Sequence, residues 1–281
     1  CRQTDTELPY NDIVALNTHG AVLHYQARDR EPPTTIRSFL IDAGCVVNAY
    51  ASDITRTYAR APGDFADLIA AMDAVELDLV SRVRAGVDYR ELFLDSHLEI
   101  AQVLADAGVI RVGAETAVES GLSSVFYPHG LGHFLGLQVH DVAGLIDNDG
   151  QPIPRPEGHP ALRLTRVLEE GNVLTVEPGL YFIDTLLEKW RANEDASMVD
   201  WDRVEVFKPF GGIRIEDNVL EDNEVAITLR SNVDVVDNEI LGMCRRVLEG
   251  IEVSEETLAA DLIIEKGPGK DYLDSEHTVR D

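Results

Sequence analysis

Acidic residues interrupt the most apolar strand-like segments of this chain. Glu177 stands in Thr175-Val-Glu-Pro-Gly-Leu-Tyr-Phe182, Asp42 ends Phe39-Leu-Ile-Asp42, and Glu216 follows Gly212-Ile-Arg-Ile215. A carboxylate on a buried strand face is costly unless it meets a donor or a cation. A fold built on these segments must therefore supply partners for them. Alternation puts Arg214 and Glu216 on one face of their strand. Asp53, in Ser52-Asp-Ile-Thr-Arg56, and His133, in His129-Gly-Leu-Gly-His133, complete a set of four carboxylates and one imidazole. Singly, each has a bland reading: a strand-end turn for Asp42, a solvated face for Asp53 and Glu216, a loop histidine for His133. Brought together, they make a hard, oxygen-rich site that suits Mn²⁺ or Co²⁺, with too few histidines for a typical lone structural zinc. Like charges at short range raise one another's pKa, and two divalent ions would compensate them. A water between two such ions loses its proton near neutral pH and becomes a nucleophile.

The remaining pattern gives the class. Ile13–Leu16 and Ala21–Tyr25 flank the turn-rich Asn17-Thr-His-Gly20, which predicts a hairpin. Ser38–Asp42, Tyr50–Tyr58, Val173–Phe182 and Gly212–Leu220 read as strands. Leu68, Met72, Val75, Leu79 and Val83 fall at helical spacing after a cap at Asp64. A second helix is expected from Asp88, with Glu91 completing a capping-box variant and Gly108 stopping it. The region Tyr127–Asp141 is a Gly/His-rich loop, and the four prolines in Gly150–Pro160 demand irregular chain. Strands and helices are grouped rather than alternating, which predicts an α+β fold. Near Asp222 the character changes: Asp237–Glu249 and a segment from Ser254 through Ile264 read as a helical hairpin. The expected division is 1–222 for the domain carrying the acidic set and 223–281 for a helical tail.

The net charge of −27 over 281 residues argues against nucleic acid and against anionic membrane surfaces as partners. No apolar run approaches the length of a spanning helix. Three cysteines, Cys1, Cys45 and Cys244, form neither a disulfide framework nor a zinc ribbon, so a reducing cytoplasm is expected. A start at Cys1 that runs straight into a strand-like segment is what a fragment or processed product would show.

Five phrases occur in order: Phe39-Leu-Ile-Asp-Ala-Gly44, Ser52-Asp-Ile-Thr-Arg-Thr-Tyr58, His129-Gly-Leu-Gly-His-Phe-Leu-Gly-Leu-Gln-Val-His-Asp141, Thr175-Val-Glu-Pro-Gly-Leu-Tyr-Phe182 and Gly211-Gly-Ile-Arg-Ile-Glu-Asp-Asn218. Together they resemble the pita-bread metallopeptidases, which include methionine aminopeptidase, aminopeptidase P, prolidase and the creatinase relatives. Pro9-Tyr10, Ile13-Val-Ala-Leu-Asn17, Ala21-Val-Leu-His-Tyr25 and Lys208-Pro-Phe-Gly-Gly212 are similar to the bacterial Xaa-Pro dipeptidase subgroup, whose kin include organophosphorus acid anhydrolases. The resemblance runs from about residue 5 to 220. It implies a catalytic domain with a curved antiparallel sheet, truncated at its N-terminal side.

The resemblance also implies roles. Asp42 would bind one metal, Asp53 and Glu216 would bridge two, and His133 and Glu177 would complete the second. Glu177 would shuttle the proton. His129 and His140 would hold the substrate and steady the tetrahedral intermediate. Arg214 would grip the substrate's terminal carboxylate, and His24 would line the substrate pocket. The implied reaction is hydrolysis of Xaa-Pro dipeptides to release proline, with Mn²⁺ (or Co²⁺) as cofactor and a homodimer as the common assembly.

Ala49 stands where such relatives often have Gly. Gly250-Ile-Glu-Val-Ser-Glu-Glu-Thr-Leu258 and Glu276-His-Thr-Val-Arg280 resemble the end of trimethylamine methyltransferase-like proteins. Two alternatives stand beside the dipeptidase: an inactive truncated or fused homologue serving as a structural or interaction module, and another pita-bread aminopeptidase such as aminopeptidase P, which the phrases around His133 and Glu177 disfavour.

Overall fold

The computed structural model describes residues 7–27, 30–31, 33–222, 225–231 and 262–263. The strands are β1 (Ile13–Leu16), β2 (Ser38–Ala43), β3 (Val46–Val47), β4 (Tyr50–Ala51), β5 (Ile54–Ala59), β6 (Val173–Val176), β7 (Gly179–Tyr181), β8 (Gly212–Arg214), β9 (Asp217–Asp222), β10 (Val225–Ser231) and β11 (Leu262–Ile263). The helices are α1 (Asp64–Ser81), α2 (Tyr89–Asp106), α3 (Ala114–Glu119), α4 (Ser123–Phe126), α5 (Asp184–Arg191) and α6 (Trp201–Phe207).

Every strand pairing among the described residues is antiparallel. One sheet runs β1-β2-β5, another β11-β10-β9-β6, with the pairs β3-β4 and β7-β8 beside them. A bridge between Thr55 and Glu216 ties β5 to the start of β9. That bridge joins the two larger sheets where four of the acidic set converge. Grouped strands and helices with antiparallel pairing bear out the α+β expectation.

The helices cover the sheet as their periodicity requires. Leu68, Met72, Val75 and Leu79 of α1 face the core, at 0–8 % exposure, and join Leu92, Phe93, Ile100 and Leu104 of α2. Each such side chain contributes about 1.5–3 kcal/mol by leaving water. Helix α1 starts at Asp64 with Gly63, not Asp64, in the cap position. The Asp88 carboxylate caps α2 by accepting from Arg90 N–H, so the expected bond to Glu91 is replaced by one a residue earlier. Gly108, at φ 70°, ends the segment as expected.

Three expectations are corrected. Ala21–Tyr25 is not a strand; a 3-10 turn spans Asn17–Ala21, and β1 pairs with β2 instead. Local turn chemistry suggested a hairpin, but Asn17 spends its side chain bridging to Thr35 O and Arg37 N, which turns the chain towards β2. Second, the strand-like stretches are interrupted where the acidic residues sit: β6 and β7 break at Glu177-Pro178, β8 and β9 at Ile215-Glu216, and β4 and β5 at Ser52-Asp53. Third, the described parts of 223–281 are strands, β10 paired with β9 and β11 with β10, so Ile263 is not helical. The helix expected over Asp237–Glu249 and the start of the one from Ser254 lie outside the described residues. Asn48 and Ala49 turn between β3 and β4 with φ of 51° and 70°. Ala49 thus holds the left-handed conformation that a glycine adopts without strain.

Candidate active site

Each strand break aims a carboxylate into one cavity of about 610 Å³. Asp42, Asp53, His133, Glu177 and Glu216 all line it, with Tyr10, His24, His129, His140, Arg163 and Arg214. Asp53, His133 and Glu216 offer ligand atoms within 4.8 Å of one another. His133 Nε2 lies 3.5 Å from Asp53 Oδ2 and 3.6 Å from Glu177 Oε1.

The surroundings fix each group. Asn218 clamps the Asp53 backbone: its side-chain oxygen accepts from Asp53 N at 3.0 Å and its amide donates to Asp53 O. His133 Nδ1 donates to the Phe134 carbonyl at 3.1 Å, which leaves Nε2 facing the carboxylates. Thr55 Oγ1 donates to Glu216 Oε2 at 2.7 Å. Glu216 Oε1 is buried and accepts no hydrogen bond. Tyr10 donates to Asp42 at 2.6 Å and also to Asp53. Its ring fits only because position 44 is glycine: a Cβ there would stand 2.7 Å from the Tyr10 ring and 2.1 Å from Ser52 O.

Burial pushes the carboxyl pKa values up. Asp42 rises to about 6, burial outweighing the pull of Arg214. Glu177 rises to about 7, burial outweighing His133 and Arg214. Glu216 rises well above the ordinary value through burial and the charges of Asp53 and Glu177. His133 is raised: burial opposes its charge, but Asp53 and Glu177 prevail. The site is short of positive charge.

Arg214 is 5 % exposed and makes four side-chain hydrogen bonds. Nη2 pairs with Asp42, Nε donates to Thr55 Oγ1 at 3.1 Å, and Nη1 reaches Tyr181 Oη at 3.3 Å and Leu23 O at 3.4 Å. His129 donates from Nδ1 to Gly130 O at 2.8 Å, so Nε2 accepts from the Tyr181 hydroxyl at 2.9 Å. A Cβ at position 179 would fall 2.6 Å from both His129 Nε2 and Tyr181 Oη, so this pair needs Gly179. Burial and the Arg214 charge hold His129 down at about 3. His140, edge-on to His133 at 4.4 Å, is held at about 4 by burial and the His133 charge. His140 makes no hydrogen bond among the described residues. His24, whose pKa is lowered by burial and by Arg214, stands on the same rim.

All nine residues singled out in the sequence therefore line one cavity. Among the lining residues not singled out as site residues, Tyr10 and Arg163 bear on the chemistry. Tyr10 appeared only within a phrase, and its signal was the glycine that makes room for it. Arg163 lies in His159-Pro-Ala-Leu-Arg-Leu164, where buried Leu162 and Leu164 alternate with cavity-lining Ala161 and Arg163. That period-2 pattern was readable, but the prolines before it marked the stretch as irregular. Arg155 Nε holds the segment by donating to Leu162 O at 2.6 Å. The Arg163 side chain has no ion pair among the described residues.

Comparisons with known proteins agree with this geometry. The model of metallopeptidase family M24 matches residues 2–222, and that of trimethylamine methyltransferase (MTTB) matches 224–281. An Xaa-Pro dipeptidase of Xanthomonas oryzae pv. oryzae is 58 % identical over 220 residues, 78 % of this chain and 50 % of that protein. One from Stenotrophomonas maltophilia is 57 % identical over the same share. The chain spans about half the length of the curated relatives it matches. Zinc-substituted Escherichia coli aminopeptidase P in complex with product superimposes with a TM-score of 0.60 at 28 % identity, covering 79 % of this chain and 44 % of that one. Pseudomonas aeruginosa aminopeptidase PepP gives a TM-score of 0.58 at 27 % identity. With the five phrases in order, the carboxylates in one cavity and the family model spanning 2–222, the chain belongs to the M24 metallopeptidase family and has its pita-bread fold.

Proposed function

We propose that this chain hydrolyses Xaa-Pro dipeptides and releases proline. The observation that carries the reading is the buried, unpartnered Glu216 Oε1 beside Asp53 and His133, with burial holding the Glu216 pKa well up. A buried carboxylate oxygen without a donor fits a cation. Asp42, Asp53, His133, Glu177 and Glu216 would hold two divalent ions, and their oxygen-rich chemistry favours Mn²⁺, with Co²⁺ also suited. Such ions supply the missing positive charge, acidify a water and polarise the scissile carbonyl.

The protein's own groups do the rest. Glu177, 3.6 Å from His133 Nε2, takes a proton and passes it to the departing proline nitrogen. His140 presents a neutral imidazole to the developing oxyanion. His129 reaches a substrate by exchanging its Tyr181 partner for it. Arg214 orients Asp42, while the uncommitted Arg163 guanidinium, near His24 and His140, receives the free carboxylate of the dipeptide. A carboxylate contact at Arg214 would instead compete with Asp42, Thr55 Oγ1, Tyr181 Oη and Leu23 O for its donors.

The reading extends to a cytoplasmic protein with no nucleic-acid or membrane partner, supported by cysteine usage and a net charge of −27, and to the homodimer that the family resemblance implies. No helix among the described residues is long and apolar enough to cross a membrane. The 1–222 and 223–281 division is proposed on the same footing, with β10 then lending the second segment's first strand to the sheet of the first. A second reading, an inactive fused homologue acting as a structural or interaction module, is favoured by the match of residues 224–281 to a different family model. Proline release from a panel of Xaa-Pro dipeptides with added MnCl₂ separates the two. Turnover is expected; no turnover together with no bound Mn²⁺ refutes the dipeptidase.

A further inference from the structure

Behind Glu216 lies a second buried ionic cluster. Strand β5 alternates: Thr55 and Thr57 face the cavity side, where Thr55 Oγ1 meets Glu216 and Thr57 Oγ1 donates to Arg214 O at 2.9 Å. Arg56 faces the other way and is 8 % exposed. Its Nη1 donates to two carbonyls at once, Thr55 O and Glu216 O, both at 2.9 Å. Those same carbonyls already accept across the bridge, Glu216 N to Thr55 O at 3.1 Å and Thr55 N to Glu216 O at 3.3 Å. Nη2 is paired at 2.5 Å with Asp217, whose side chain is fully buried. Burial works against the Arg56 charge, but Asp217 and then Glu76 of α1 keep it protonated.

A planar guanidinium whose Nη1 meets both bridge carbonyls while its Nη2 is held by Asp217 restrains the Glu216 backbone together with that of Thr55. Lysine, a point charge on a flexible stem, would not. We propose that Arg56, locked by Asp217, is a positioning residue for the metal centre: it fixes the Glu216 peptide so that its carboxylate presents Oε1 to the cation. The proposal rests on the reading that Glu216 ligates metal. Groups that orient a ligand typically govern metal affinity by about 10–100-fold.

The test is Mn²⁺ titration by calorimetry of the full chain, its Arg56→Lys form and its Asp217→Asn form, with thermal melting of each in EDTA. The expected result is a cooperative melt for all three and a Kd weaker by about 10–100-fold in both variants, Arg56→Lys recovering little despite its charge. Folded variants that bind Mn²⁺ within twofold of the unaltered chain overturn the proposal and leave the metal reading intact. Failure of both variants to melt cooperatively assigns the pair to folding and overturns it too. No Mn²⁺ binding by the unaltered chain overturns the metal reading, and the proposal with it.

Discussion

Glu216 and Asp217 are sequence neighbours, both buried, and their carboxylates live in opposite worlds. Asp217 points behind the sheet to Arg56 and is paired at 2.5 Å. Glu216 points into the cavity, where four carboxylates gather near Arg214 and Oε1 meets no donor. The rear cluster sets Arg56 against Asp217 and Glu76, one guanidinium for two carboxylates, whereas the front one gathers four carboxylates around Arg214. Two buried carboxylates at one place in a fold thus differ in what burial alone does not fix: Asp217 meets a guanidinium, and Glu216 Oε1 meets no donor.

The contrast is breakable by stability. Arg56→Met leaves Asp217 and Glu76 buried without their counter-charge, and should cost about 3–5 kcal/mol in urea unfolding of the EDTA-treated chain. Glu216→Gln, which removes a crowded charge, should leave that stability unchanged or raise it, while cutting Mn²⁺-supported proline release by about 10³-fold or more, the several kcal/mol a correctly held metal supplies. Destabilisation by Glu216→Gln comparable to that of Arg56→Met would erase the difference between the two faces.

Acidity sharpens the same contrast. Glu177 is held at about 7 and Asp42 at about 6, against ordinary values of 4.5 and 3.8. These two carboxyls therefore bind protons in the metal-free native state that they lack in the unfolded chain between about pH 4 and 7, so their own contribution to stability falls as pH rises through that window. His129 and His140, held at about 3 and 4, contribute in the opposite sense, so the carboxyl effect is read as a difference. Melting in EDTA should show Glu177→Gln gaining stability relative to the unaltered chain from pH 5 to 7. Excess Mn²⁺ should stabilise the unaltered chain more as pH rises, because binding requires the deprotonated carboxylates. A difference between the two chains that does not change with pH would mean that Glu177 is not held up by a shortage of positive charge.

The smallest expected effect separates the two cavity guanidiniums. Arg163→Ala should raise KM for an Xaa-Pro dipeptide by about 10–100-fold with kcat little changed, the 1.5–3 kcal/mol of one charged hydrogen-bonded contact. Loss of kcat with KM unchanged would return the carboxylate contact to Arg214.

Much of this was legible in the sequence. The five proposed acidic and imidazole ligands are readable because a charge in an apolar strand advertises a partner, and because they sit in ordered phrases. The helical periodicity of α1 and the Gly108 stop are local and came through. What failed is what non-local contact decides. Ala21–Tyr25 has a strand's composition, but β1 finds β2 across the chain, and the turn follows Asn17. Arg214 shares a face with Glu216, as alternation required; that its donors are consumed by Asp42, Thr55 and Tyr181 depends on segments far away in sequence.

That distance has a bearing on how the molecule is made. Thr55 and Glu216 are 161 residues apart and Asp53 and Asn218 are 165 apart, yet they join hands at the bridge between β5 and β9. Of the proposed ligands, only Asp42 and Asp53 sit on one local hairpin. Long loops must close before such contacts return anything, which makes this junction a late and slow event in folding. A cation cannot seed the fold from any short stretch, since no short stretch offers more than two of its ligands. The cavity becomes able to hold a cation only as the chain finishes folding, so on this reading a nascent or misfolded copy carries no pre-formed hydrolytic site.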